Sequence, residues 1–222
     1  MANSAILKSS IAKKVAMALS GLFLISFLSL HFFINVVSVF SADAFNAMSH
    51  FMGYNPIIQF VMQPILIAGV IFHFVMGFVL DYKNRSARSI AYIKYNGAAN
   101  ASWASRNMIV SGSVVLAFLG LHMYDFWFAE MMHKYIEVKE IDPTRYFPEM
   151  VHKFESIVRT GLYCVSFLLL SLHLWHGFNS SFQSVGFNNK YSKALHKLGY
   201  AFAIVIPFGF IFIALFHHFN QI

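Results

Sequence analysis

The chain alternates between long stretches without a charge and short stretches where charge collects. No Asp, Glu, Lys or Arg falls between Val15 and Ala42, Ala44 and Leu80, Asn107 and Tyr124, Thr160 and Asn189, or Leu198 and Ile222. About 20 predominantly apolar residues suffice for a helix to cross a bilayer. The pattern therefore predicts five transmembrane helices, over about residues 11–40, 57–80, 106–128, 157–181 and 196–219. Residues 1–222 read as one all-α, polytopic membrane domain, with no soluble domain and no low-complexity segment. Pro64 is tolerable early in the second helix, because neighbours can satisfy a freed carbonyl, and Pro207 is expected to kink the fifth.

The connections carry the charge, and the stretch 81–105, which mixes basic residues with Tyr92, Tyr95 and Trp103, suits a membrane-surface segment. Asp43, His50 and a turn over 53–56 form a short loop; Asp125 and Glu130 mark the end of the third helix. The stretch 129–156 is the longest, with turns at Asp142-Pro143 and Phe147-Pro148. The first apolar run follows Lys13 and Lys14, as a signal peptide would, but it is too long and ends in no clean cleavage site. It is kept as a helix.

Composition agrees with this picture: 58% of residues are hydrophobic and 11% charged. The net charge of +7 does not point to nucleic acid, because its placement reads as topology. Lys8, Lys13, Lys14, Lys83, Arg85, Arg88, Lys94, Arg106, Lys190, Lys193 and Lys197 fall on one side. The other side has Lys134, Lys139, Arg145, Lys153 and Arg159, set among acids. The excess of basic residues puts the N-terminus in the cytoplasm.

Histidine supplies the candidate chemistry. An ionisable side chain at membrane depth is costly and marks function by default. His31, His73, His122 and His173 lie one on each of the first four helices. His31 is seventeen residues past Lys14 and His122 sixteen past Arg106. At 1.5 Å per residue, both lie roughly 24–26 Å from the basic boundary. His73 is eight residues before Asp81 and His173 eight before Ser181. Both of those lie roughly 12 Å from that boundary. The four sort into two pairs, His31 with His122 and His73 with His173. Two such pairs suit two stacked haems, each iron taking one imidazole from either face. The competing reading is a set of histidines that only hydrogen-bond neighbouring helices.

Gly77 and Gly177 each follow a candidate ligand by four residues, on the same helix face, and remove a side chain that would strike a macrocycle. His176 faces away from His173 and is expected to line the pocket or a quinone site. His50, His133, His152, His196, His217 and His218 lie at or beyond the helix ends and read as interfacial. Arg85 and Arg88 are candidates for haem propionates or a docked subunit. The single cysteine, Cys164, excludes a disulfide framework, and no CxxCH motif is present. Any haem is therefore held non-covalently.

The segment HFVMG followed by NRSARSIAY, SWASR before the third helix, and HLWHGFNSSFQSVG at the fourth complete a pattern. With the four histidines, it resembles the dihaem cytochrome b subunit of succinate:quinone oxidoreductases over nearly the whole chain. The resemblance implies a multi-pass anchor in the cytoplasmic membrane, two b haems and a quinone, often menaquinone. It also implies a flavoprotein and an iron–sulfur subunit docked on the cytoplasmic side. Within it, the first and third histidines hold the outer haem and the second and fourth the inner one. Some dihaem fumarate reductases carry a glutamate two residues before the fourth ligand; here that residue is Ser171. This departure weighs against a proton path through the fourth helix and for succinate oxidation.

The expected function is electron transfer from a succinate dehydrogenase to membrane quinone, which would make the chain a subunit of an oxidoreductase. Quinone is expected near the outer haem, with Asp125, Gln59 and His50 as its polar contacts, and Asp43 and Gln63 nearby. An inner site among His176, Asn179 and Trp103 competes. A cytochrome b anchor of a hydrogenase or formate dehydrogenase is a rival of the same type. A haem-free transporter with a histidine relay is a rival of another class. Against the transporter, the halves show no repeat and no interrupted helix pair.

Overall fold

The computed structural model describes residues 9–86, 106–187 and 189–220. Among them every regular element is helical. Five helices are long and apolar enough to cross a membrane, so the chain is a multi-pass, all-α membrane protein. Helix α1 spans Ser10–Val37. A second, shorter helix, α2, spans Ala42–Tyr54. Helix α3 spans Gln63–Ser86 and is entered through the π-helical turn Ile58–Met62. Helix α4 spans Met108–His122 and continues through wide and regular turns to Ile136. Helix α5 spans Tyr146–Glu155, α6 Ile157–Ser184 and α7 Ser192–Phe219.

Three expectations about the connections do not hold. Residues 42–54 form α2 rather than a loop, because Ser41 caps its N-terminus, accepting from the Ala44 N–H at 3.1 Å, with Asp43 in the first turn. Asp125 and Glu130 do not end the third span. The helix runs past both, because each carboxylate is neutralised by cations from other elements, as described below. The long connection contains α5, whose buried Met150 and Phe154 pack into the core while His152 and Glu155 stay outside.

Helix α6 is central, packing against α1, α4, α5 and α7. Most of the buried core lies at one end of the bundle, around Ile34, Phe45, Met150, Tyr163, Phe167 and Phe210. Elsewhere the surface is apolar: Leu19, Phe33, Phe60, Phe72, Val75, Val165, Phe208 and Phe212 are exposed. Such a surface is unfavourable in water and ordinary against lipid tails.

Both prolines within spans have local compensation. The π-helical turn sits just ahead of Pro64, where the ring excludes the ordinary i−4 bond. Pro207 lacks the N–H that would bond the Ala203 carbonyl. The Ser171 hydroxyl donates to that carbonyl across the α6–α7 interface at 2.6 Å. Ser171→Ala is expected to leave the carbonyl unpaired at a cost of about 1–3 kcal/mol. Thermal unfolding in detergent checks this, and Ser171→Thr should recover most of the loss.

Candidate functional site

Helices α1 and α4 bring His31 and His122 together, with ring centroids 5.6 Å apart and planes at 81°. Helices α3 and α6 bring His73 and His173 together, at 6.3 Å and 74°. These are the pairs that the depth argument joins. His176 belongs to neither.

Around the first pair the surroundings are aromatic. Phe27 stacks on His31 at 5.5 Å, and Phe210 lies 5.8 Å from it. Phe118, Phe126 and Tyr163 surround His122. The Asn35 amide donates to the His31 carbonyl at 2.8 Å and approaches its Nε2 at 3.5 Å. His122 Nδ1 is buried with no hydrogen-bond partner among the described residues.

The second pair is held by hydroxyls. Ser20 Oγ on α1 lies 3.0 Å from His73 Nδ1, and Ser111 Oγ on α4 lies 3.3 Å from His173 Nδ1. Two glycines lie against the rings, where a side-chain carbon would make ordinary contact. A Cβ on Gly21 would sit 3.5 Å from His73 Cε1, and one on Gly112 would sit 3.5 Å from His173 Cε1. Gly77 and Gly177 face methionine methyls. A Cβ on them would meet the Met17 and Met108 methyls at 3.6 and 3.7 Å. Those methionines belong to the same helices that supply the serines.

Two imidazoles bound on opposite sides of one metal ion through bonds of about 2 Å would put their ring centroids roughly 6.3 Å apart. The His73–His173 pair already stands at that separation, and the His31–His122 pair would need to part by a fraction of an ångström. The apolar walls around the first pair fit a haem, whose macrocycle is itself apolar.

Polar groups cluster beyond the first pair. Asp125, 1% exposed, lies three residues past His122 where the helix widens into a π-helical segment. It accepts from Arg159 Nη1 at 2.6 Å and from the Tyr163 hydroxyl at 2.9 Å. Arg159 also lines a cleft of about 300 Å³ with His152, Lys153, Glu155 and Ser156. Asp125 is thus no boundary marker. Further along, Glu130 pairs with Lys134 at 2.6 Å and with Arg145, and accepts from the Tyr146 hydroxyl at 3.3 Å. Burial opposes the charge on Arg145, but Glu130 and Glu149 outweigh it and hold the guanidinium more firmly protonated than usual. Burial, reinforced by Glu130, raises the Tyr146 phenol.

The structure spreads the three expected quinone contacts rather than joining them. His50 stacks on Tyr54 and approaches Tyr146, near Glu130. Gln59 donates to the Tyr135 hydroxyl. Tyr135 lies ten residues past Asp125, about 15 Å along the helix. Arg85 is exposed and bonds Asp81 at 2.8 Å; the stretch 87–105, with Arg88, Tyr92, Tyr95 and Trp103, lies outside the described residues.

Sequence reasoning missed several residues. His217 is not interfacial: it is 1% exposed, with Nε2 2.8 Å from Ser38 Oγ. Arg159 and Tyr163 were invisible as partners of Asp125. The halves also do share a repeat. MALSG from Met17 and MIVSG from Met108 are alike, and a histidine lies eleven residues after each serine, at His31 and His122. That spacing was the available signal for Ser20 and Ser111.

Comparison with protein-family models, curated proteins and solved structures found no match.

Proposed function

We propose that this chain is the cytochrome b anchor of a succinate:quinone oxidoreductase, holding two b haems between its helices. The observation that carries the reading is the presence of two histidine pairs, on four helices and at two depths, one at a separation that suits a metal between opposed rings. His73 and His173 would hold the inner haem, and His31 and His122 the outer one. Bound haem supplies reversible one-electron chemistry. The residues of this chain ligate it, and Phe27, Phe118, Phe126 and Phe210 exclude water at the outer pair. In this reading the N-terminus is cytoplasmic, and a flavoprotein and an iron–sulfur subunit dock on that side of the cytoplasmic membrane. The quinone, menaquinone by the resemblance, would be met near the outer pair, where Arg159 links buried Asp125 to the cleft beside it. An ionisable group there exchanges protons with the outer side without crossing the bilayer.

The test is a redox-titrated visible spectrum of the purified complex, with its subunits identified. Two b-type components per chain and a co-purifying flavin are expected. No b-type band would sink the reading, and nickel or molybdenum in place of flavin would move it to another dehydrogenase. For the quinone, Asp125→Asn should cut quinone-dependent turnover severalfold while dye-linked succinate oxidation and both haems persist. Loss of quinone activity only on substituting inner residues such as Asn179 would exclude the outer site.

A further inference from the structure

We propose that Ser20 and Ser111 are positioning residues that fix the tautomer of His73 and His173, aim Nε2 of each ring at a metal, and strengthen both as donors. This rests on the haem reading above and deepens it.

A serine hydroxyl has one hydrogen to give. Ser20 Oγ lies 2.7 Å from the Met17 carbonyl oxygen, and Ser111 Oγ lies 3.1 Å from that of Met108. Two oxygens at such distances repel unless a hydrogen lies between them, and a carbonyl has none to offer. At Ser20 the hydroxyl hydrogen therefore points at the carbonyl, and Ser111, which makes the same pair of contacts from the same place in its helix, is assigned the same orientation. Each serine then faces its histidine with lone pairs alone. The Nδ1 atoms at 3.0 and 3.3 Å must carry the hydrogen and donate. In a neutral imidazole the other nitrogen, Nε2, is then left bare, which is the form that binds a metal. Both ligands of one pair are thus set by the same device, taken from the same position of the two repeats.

The device has an electronic consequence. A ring that donates from Nδ1 gains electron density at Nε2 and becomes a more basic ligand. Such a ligand favours the more oxidised iron. Removing the acceptor should make that iron easier to reduce and leave the other pair alone, since its histidines meet neither serine.

The experiment uses the intact purified complex carrying Ser20→Ala, Ser111→Ala or the corresponding Thr substitutions, with haem content and potentiometric titration of the b band as readouts. Alanine is expected to keep two haems and raise one midpoint potential by roughly tenfold in the oxidised-to-reduced ratio, about 59 mV for a one-electron couple. Threonine, which keeps the hydroxyl, should restore the original value. Loss of one haem in the alanine variant that threonine restores would also support the proposal. Two haems with both potentials unmoved would overturn the serine role and leave the haem reading standing. So would loss that threonine fails to restore, or an equal shift of both potentials. A wild-type complex without a b band would overturn both.

Discussion

If the proposed haem reading holds, alanine at His173 is expected to cost the protein one haem and leave the other in place. His73→Ala should give the same result, and His31→Ala or His122→Ala should remove the second haem instead. The reason is geometric. His73 and His173 face one another at 6.3 Å, and a haem that these two rings would hold together loses one of its two protein ligands when either is removed. The other pair draws on different residues of different turns, so the losses should be independent. His176→Ala discriminates sharply, because His176 joins neither pair and its removal should leave both haems. Haem counted per chain, after extraction as a pyridine complex, decides. Two haems in His173→Ala with one in His176→Ala would refute the ligand assignment.

Arg159→Leu is expected to be among the most destabilising single changes in the molecule. The Asp125 side chain is 0% exposed, and Arg159 is its counter-charge at 2.6 Å. Removing one member of a buried ion pair leaves an uncompensated charge at about 3–5 kcal/mol. For a chain of this size that is a fall in thermal midpoint on the order of 10 °C. The double variant Asp125→Leu with Arg159→Leu should recover much of the loss, because neither charge remains. Recovery should stop short of wild type, since the Tyr163 hydroxyl loses its acceptor. Thermal unfolding of the four proteins, taken as a double-mutant cycle, measures the coupling. Additive effects would show that the pair contributes little beyond its separate parts.

Much of the fold was legible because the bilayer imposes a coarse rule: an apolar run without charge and of the right length is a span. That rule located all five long helices. It failed where charge sits inside a span, because it treats every charge as a boundary. Asp125 and Glu130 were read as the end of a helix that runs on to Ile136. Their partners Arg159 and Arg145 are remote in sequence, and no local pattern announces them. Helix α2 was lost for a different reason. Gly53, Asn55 and Pro56 are turn signals, but they end a helix here rather than fill a loop. The histidine pairing was readable because depth along a helix is simple arithmetic. The hydroxyls beside one pair were not, because Ser20 is indistinguishable by type from a serine that only permits close packing. The repeated M-x-x-S-G unit carried that information, in a comparison between helices rather than along one.

Helix α1 touches both histidine pairs, at Ser20 beside His73 and at His31 itself. Eleven residues separate those points, about 16 Å along a helix, against a hydrocarbon thickness of about 30 Å. The two levels therefore lie roughly half a membrane apart. A whole charge crossing the full membrane changes in energy by about 2.3 kcal/mol per 100 mV. In the haem reading proposed above, an electron passing between the pairs would feel about half of that, roughly a sevenfold bias in its distribution for each 100 mV. Voltage across the membrane would thus act on this chain as a substrate or product does, pushing electrons toward one pair and holding them back from the other.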